Sequence, residues 1–473
     1  MTWRAAACWG APMRVLEALL AEVGLDPGAA GRVMLSGPDA VLPSSFRVGT
    51  AAAAAIAAVG VAASEVLARR TGRVAAVALD TRHAAAEFGS ERHLRVDGAP
   101  MGEAWDAIAG TYRCRDGGVV RIHTNFPHHR DGFLRLLGAG YDRADVARAL
   151  AGWDAAAFDD AAAAAGLPGA RMRDFAAWDA HPQAATVASL PLVAIRRIGD
   201  APAEPFRGAA ARPLAGLRVL DLTRIVAGPV AGRTLAAHGA EVLLVTAAHL
   251  PAIPVLVADT GRGKRSAAVD LRDAAGRETL RELVRGADVF LQAYRPGALA
   301  GRGFGPDALA ALRPGIVSLS LSAYGAAGPW AGRRGFDSLV QTASGFNRAE
   351  GEAAGTPGEP RPLPVQALDH ASGYLLALGA LAALLRRAEA GGSWHVEVSL
   401  ARTARWLRDL GRVADGFGVP ALDPAPFLET TGSGFGRLTA VRHAAVLEGV
   451  PAGWERPSVP LGTHPARWEA ARP

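Results

Sequence analysis

Residues 213–245 read PLAGLRVLDLTRIVAGPVAGRTLAAHGAEVLLV, and this stretch decides the fold class. The run from Val219 to Leu222 is short and apolar, as in a strand buried on both faces. A turn rich in Gly and Pro follows, then an amphipathic helical pattern, then a second apolar run near Val242 to Val245. The alternation continues outward. VDL precedes a polar helix from about Asp273 to Val284, ADVFLQAY reads as a strand, PDALAALRP as a short helix and IVSLSLSAYG as another strand. An Ala-rich helix from Ala371 to Arg387 leads into a last strand, WHVEVSL. Strands alternating with helices predict an α/β fold with a doubly wound, mostly parallel, Rossmann-like sheet, whose ligands lie at the carboxyl ends of the strands.

The first half reads differently. Residues from about Thr50 to Arg70 predict an Ala-rich helix, followed by the strand RVAAVALDTR. TYRCRDGGVVRIHT has the pattern of a hairpin turning at Asp-Gly-Gly, and ARALAGWDAAAFDDAAAAAGLP fits a helix after it. This predicts a smaller α+β unit. Pro202 and Pro205 mark a linker. The segment Thr50–Leu79 also parallels Asp369–Leu400: each reads as a helix, an Arg pair, a glycine turn and a strand. Thr50 opens one copy and Asp369 the other.

The chain has 473 residues, 50% of them hydrophobic and 20% charged, enough apolar material for several domains and too much for disorder. Its 51 basic and 45 acidic residues leave a net charge of only +6, with no block of like charge, which favours small anionic ligands over nucleic acid. Two cysteines, Cys8 and Cys114, make neither a disulfide framework nor a Cys-rich metal site. The longest apolar run, near Ala51 to Ala63, is shorter than the roughly 20 residues of a membrane helix, and Arg4, Pro12 and Arg14 interrupt any signal core. The expectation is a cytoplasmic protein with no membrane partner. Lys264 is the only lysine.

From Pro213 to about Leu400 the chain resembles the class III CoA-transferases, the CaiB/BaiF family. The residues that carry the resemblance are PLAGLRVLDLTR, IVAGP, GRGKRSAAVDL, the strand with YRPGAL, SLSAYGAAGPW, GFDSLVQTASG and LDHASG, in the family's order. The hairpin unit and the HPQ at His181 resemble the family's small domain, and WERPSVPLGTHP resembles its C-terminal tail. The order is permuted, as if the back part of one copy were fused to a second copy lacking its small domain. The expected organisation is a degenerate partial copy over 1–108, a small α+β domain over 109–200 and a linker over 201–212. A large CoA-binding domain over 213–415 and a wrapping tail over 416–473 complete it.

The resemblance implies that Asp369 is a nucleophile. Its carboxylate attacks an acyl-CoA thioester to give a mixed anhydride, and the released thiolate converts that to an aspartyl-CoA thioester. From the pattern alone, Asp369 reads as a helix cap, a reading that the resemblance reverses, and His370 beside it as incidental. Thr50 cannot carry this chemistry and is expected to be a cap. Gly263, Lys264, Arg265 and Ser266 resemble a segment contacting the nucleotide end of CoA. Tyr294, Arg295 and Arg302 fall where the family stacks adenine and binds phosphate. Val226, Ala227 and Gly228 allow close backbone approach, and Arg334 matches a position near the pantetheine arm. CoA esters are expected as substrates, with no cofactor held permanently, no metal site, and a small carboxylic acid as the acceptor.

Three departures stand out: Thr246 and Ala247 where the family has Glu and a basic residue or Pro, Leu368 where it has Gly, and no glycine run to form a lid, TGSGFG (Thr431–Gly436) reading as flexible tail. The racemase branch of the fold requires a histidine where Phe336 stands. A non-catalytic CoA-binding subunit is the alternative from another class. A dehydrogenase is excluded, because no G-x-G-x-x-G follows the first strand. The permutation predicts that one chain imitates the family's interlocked dimer, the alternative being a true homodimer.

Overall fold

A computed structural model describes residues 10–208, 210–451 and 453–469; Arg4 and Cys8 lie outside them. Its centre is a seven-stranded sheet. Across the sheet the strands run Lys264–Ala268, Glu241–Thr246, Arg218–Leu222, Val289–Gln292, Val317–Ser322, Ser393–Ser399 and Ala194–Gly199. All pairings are parallel except the last, which is antiparallel. The first six follow the doubly wound order 3-2-1-4-5-6, so the chain reverses direction between Arg218–Leu222 and Val289–Gln292. That crevice is where a ligand is expected.

Alternate residues of each strand serve two cores. Leu220, Leu222, Leu243, Val245 and Phe290 pack with the helices Ala274–Arg285 and Pro306–Leu312. Val219, Val242, Leu291, Leu319 and Val396 face the other way, onto Ala227–Ala237 and the long helix Ala367–Ala390. Gly373 permits that approach, since a Cβ there would meet the Ala227 carbonyl oxygen at 2.6 Å.

The sequence repeat is a structural repeat. Val48–Thr71 and Ala367–Ala390 are both 24 residues long. Each leads into a strand, Val77–Asp80 or Ser393–Ser399, whose last side chain caps a following helix. The two long helices pack on one another in one continuous core, so residues 10–108 do not form a separate body. Contrary to the expectation from apolar run length, both helices are long and apolar enough to cross a membrane. Here that apolarity is buried in protein, over 89% and 94% of their apolar windows. The first copy also has a sheet of its own, Val33–Ser36 parallel to Val77–Asp80, with Val446–Leu447 on the other side.

Three expected boundaries move. The small domain has its own core around Tyr112, Val120, Ile122, Phe133 and Phe158, beneath a sheet of Gly110–Arg113, Val119–Ile122 and Gly169–Arg171. The stretch ARALAGWDAAAFDDAAAAAGLP, read as one helix, lies in two, Arg143–Leu150 and Ala155–Ala164, separated by a turn at Gly152. Residues 175–199, assigned to it from sequence, pack instead on the large domain: Gln183 Nε2 donates to the carbonyls of Tyr324 and Ala327 at 2.8 and 2.9 Å. The expected tail is largely folded. Leu428–Ser433 and Gly436–Val441 make a hairpin that pairs with Arg95–Val96, so TGSGFG is a hairpin tip. Only residues 453–469 run along the large domain as a strap.

Candidate active site

The helix Ala367–Ala390 starts without a cap from its own N-terminal residue, Gln366. Its open N–H groups are met by Asp337, whose Oδ2 accepts from the backbone of Leu368 at 2.8 Å and of Asp369 at 2.9 Å. Gln341 Nε2 donates to Oδ1 of the same carboxylate, and Gln341 Oε1 accepts from Leu363 N at 2.9 Å, which fixes the amide. Asp369 is therefore the third residue of the helix and not its cap. Thr50 holds the third position of the matching helix, which likewise has no side-chain cap, so the expected capping role of Thr50 fails too.

Freed from capping, the Asp369 side chain is 8% exposed and lines a cavity of about 360 Å³. Burial raises its carboxyl well above the ordinary range, and the neighbouring Asp337 and Glu91 raise it further. Asp337 is also raised by burial, but its three hydrogen-bond donors favour the charged form, so the shared proton falls to Asp369. Burial works to raise Glu91, yet the His370 imidazole, 3.0 Å away, holds it below its ordinary value. His370 is thus not incidental: it is the partner of the third carboxylate at the site.

The cavity draws on three parts of the chain. The first copy supplies Glu91 and Leu94, the small domain His123 and Asn125, the large domain Ile225, Val226, Phe336 and Asp337. Ile225, a β-branched residue, sits at φ 77°, a strained conformation located in the first strand–helix turn, where the chain bends around the crevice. Residues 100–105, from Pro100 to Trp105, form a loop that lines the cavity, with Gly98 and Gly102 at positive φ. This loop stands where the sequence offered no glycine-run lid, and the small domain it leads into docks in cis, with Asp159 holding both Arg173 (2.8 Å) and Arg333.

The expected CoA residues divide. Lys264 is 2% exposed, its ammonium 2.8 Å from Asp221 Oδ2 and 2.9 Å from the Pro229 carbonyl. Arg265 is 3% exposed, between Glu241 and the carbonyl of Arg467. Ser266 bonds His464 and Gly462 of the strap, and Gly263, at φ 80°, lies against Trp454. This contradicts a nucleotide-binding role for all four: their edge strand lies under residues 453–469, and both cations have internal partners. Tyr294 and Arg295, by contrast, follow the strand Val289–Gln292 and line a second cavity of about 400 Å³, which extends over the strands Val317–Ser322, Ser393–Ser399 and Ala194–Gly199. Arg302 and Arg224 lie in electrostatic reach of the Tyr294 hydroxyl, and Arg295 in reach of Arg334. Val226 and Ala227 open the helix at the chain reversal, both buried, as is Gly228. Sequence reasoning missed Arg224, Glu91, His123 and the capping role of Asp337; only Arg224, in the first strand–helix turn, carried a local signal.

The family described as CoA-transferase family III matches residues 214–411. The Mycobacterium tuberculosis protein named "Probable fatty acyl-CoA transferase Rv3272" is 36% identical over 273 residues, 52% of this chain and 68% of that protein. The Agrobacterium fabrum "Succinate--glutarate CoA-transferase" is 34% identical over 207 residues, 40% of this chain and 51% of that protein. Among solved structures, Rv3272 in its orthorhombic form shares 36% identity over 42% of this chain and 58% of its own, with a TM-score of 0.38. A CAIB/BAIF family protein from Brucella suis shares 27% identity over 48% and 65%, with the same TM-score. The chain thus spans about half to two thirds of the length of these proteins.

Proposed function

Because the chain belongs to CoA-transferase family III, we propose that it moves CoA from an acyl-CoA to a free carboxylic acid, with Asp369 as the carrier. One observation supports this most: a buried carboxylate at a helix N-terminus, relieved of capping by Asp337, faces a cavity whose walls are part apolar and part polar. The ionised Asp369 oxygen attacks the thioester carbonyl carbon, the C–S bond breaks, and CoA thiolate leaves a mixed anhydride. The thiolate then attacks the Asp369 carbonyl carbon and the donor acid departs as its carboxylate. An acceptor carboxylate attacks the resulting aspartyl thioester and releases thiolate. The thiolate attacks the acceptor's carbonyl carbon, which returns Asp369 as a carboxylate. A raised pKa makes the carboxylate a better nucleophile once ionised, and the burial of Asp369 limits the access of water to the anhydride. The test is direct: the purified chain, given an acyl-CoA and a second carboxylic acid, forms the second acid's CoA ester without net hydrolysis. Hydrolysis alone contradicts transfer, and no reaction with any donor favours the reading of a non-catalytic CoA-binding subunit.

The phosphates of CoA are assigned in this reading to Arg224, Arg295 and Arg334, near Tyr294 at the chain reversal, and not to the buried Lys264 and Arg265. Arg295→Ala and Arg334→Ala are each expected to weaken CoA-ester binding several-fold, more at low salt than at high salt. Titration with a pantetheine ester lacking the nucleotide is expected to show little change; equal losses for both ligands contradict the assignment.

Since the small domain faces Asp369 within one chain, the reading has this chain act as its own partner. Light scattering is expected to give a mass near 48.7 kDa, and a stable species of twice that mass contradicts it. The reading also puts the protein in the cytoplasm, in keeping with a free, buried Cys114.

A further inference from the structure

His123 ends the small-domain strand Val119–Ile122 and lines the Asp369 cavity. It is 4% exposed, and its Nδ1 has no hydrogen-bond partner. The ring is held chiefly by stacking. It lies parallel to Phe336 with centroids 3.7 Å apart and 8° between planes, and meets the Trp105 edge at 5.8 Å. A buried, unpaired imidazole costs free energy unless something in the cavity uses it. Phe336 precedes Asp337, whose carboxylate caps the helix of Asp369, so the stack ties the imidazole to the element that positions the carboxylate.

Resting on the transferase reading above, we propose that His123 donates a hydrogen bond from its neutral imidazole to the carbonyl oxygen of the bound acyl thioester and steadies the charge that oxygen gains as Asp369 attacks. Burial and the nearby Arg121 hold the ring far below its ordinary pKa, at about 3, so at neutral pH it carries one N–H and no charge. A neutral donor suits the site. A cation there would pair with Asp369 and blunt its attack, whereas a neutral imidazole polarises a carbonyl without that cost. No proton is transferred: the N–H bond stays intact while negative charge grows on the oxygen.

Two variants of the full chain test this. His123→Phe keeps an aromatic ring against Phe336 and removes the donor. His123→Gln keeps an N–H and loses the stack. The probe is whichever of acetyl-, hexanoyl- and succinyl-CoA labels the wild type fastest, followed by mass spectrometry of the protein and by turnover. His123→Phe is expected to lower kcat about 100-fold, leave KM within a few-fold, and leave the shape of the pH profile unchanged. His123→Gln is expected to recover at least a tenth of the lost rate. Wild-type rates in His123→Phe, or a loss that Gln does not relieve, overturn the proposal while leaving the transferase reading intact. Deuterium entering the α-carbon in wild type but not in His123→Phe assigns the ring to proton transfer and overturns it as well. A wild type that none of the three esters labels removes the reading on which the proposal rests, and the proposal with it.

Discussion

Asp369→Asn is expected to abolish transfer, by about 1,000-fold or more, and at the same time to raise the melting temperature at pH 7. Asparagine keeps the size of the side chain but cannot form the anhydride. The gain in stability follows from linkage. The folded state raises the Asp369 carboxyl above its unfolded value, by burial first and by Asp337 and Glu91 after it. From about pH 4 upward the unfolded chain has lost this proton while the native state still holds it, so the group weakens the fold increasingly as pH rises towards its folded pKa. The asparagine variant lacks that penalty. Its advantage is therefore expected to be largest at neutral to alkaline pH and to shrink towards pH 4, where the unfolded carboxyl regains its proton. Wild-type activity, in turn, is expected to rise with pH as Asp369 ionises. Thermal scans from pH 4 to pH 8 check this, and an asparagine variant less stable than wild type throughout that range contradicts the assigned environment.

Lys264→Ala is expected to lower folding stability by about 3–5 kcal/mol while leaving CoA-ester affinity of the folded protein unchanged. Asp221 is wholly buried, and the only ammonium in the chain neutralises it at 2.8 Å. Without Lys264, Asp221 keeps its bonds from Thr223 N at 2.8 Å and Thr223 Oγ at 2.5 Å, but its charge is left uncompensated. The double variant Lys264→Met/Asp221→Leu is expected to recover much of the loss, because removing both charges removes the burial penalty with them. Denaturant titration reads the stability. A variant as stable as wild type but weaker for CoA esters restores the phosphate-binding role that the sequence suggested.

Lys264 illustrates what sequence could and could not tell. The strand it starts was legible from its apolar neighbours, and a cation after a strand at a sheet edge suited a phosphate. That edge is instead covered by a strap nearly 200 residues further along the chain, and Asp221 lies on the second strand away. The central sheet was readable because each strand carries its own apolar run. Asp369 was readable through the family resemblance, and its place in the repeat set it against Thr50. Its surroundings were not: Asp337, Glu91 and His123 come from three separate parts of the chain, and none has a local pattern that distinguishes it from a surface residue. The loop lining the cavity was missed for a related reason, since its glycines are spaced singly and the run that drew attention, TGSGFG, is a hairpin tip.

The central claim is that Asp369 carries the acyl and CoA groups in turn. Intact-mass and peptide mass spectrometry after brief incubation with acyl-CoAs test it most directly. The expected result is a mass increase equal to CoA less one water, located on the peptide containing Asp369, removed by hydroxylamine and absent from Asp369→Asn. An adduct on any other residue, or turnover by Asp369→Asn at a rate near wild type, contradicts it.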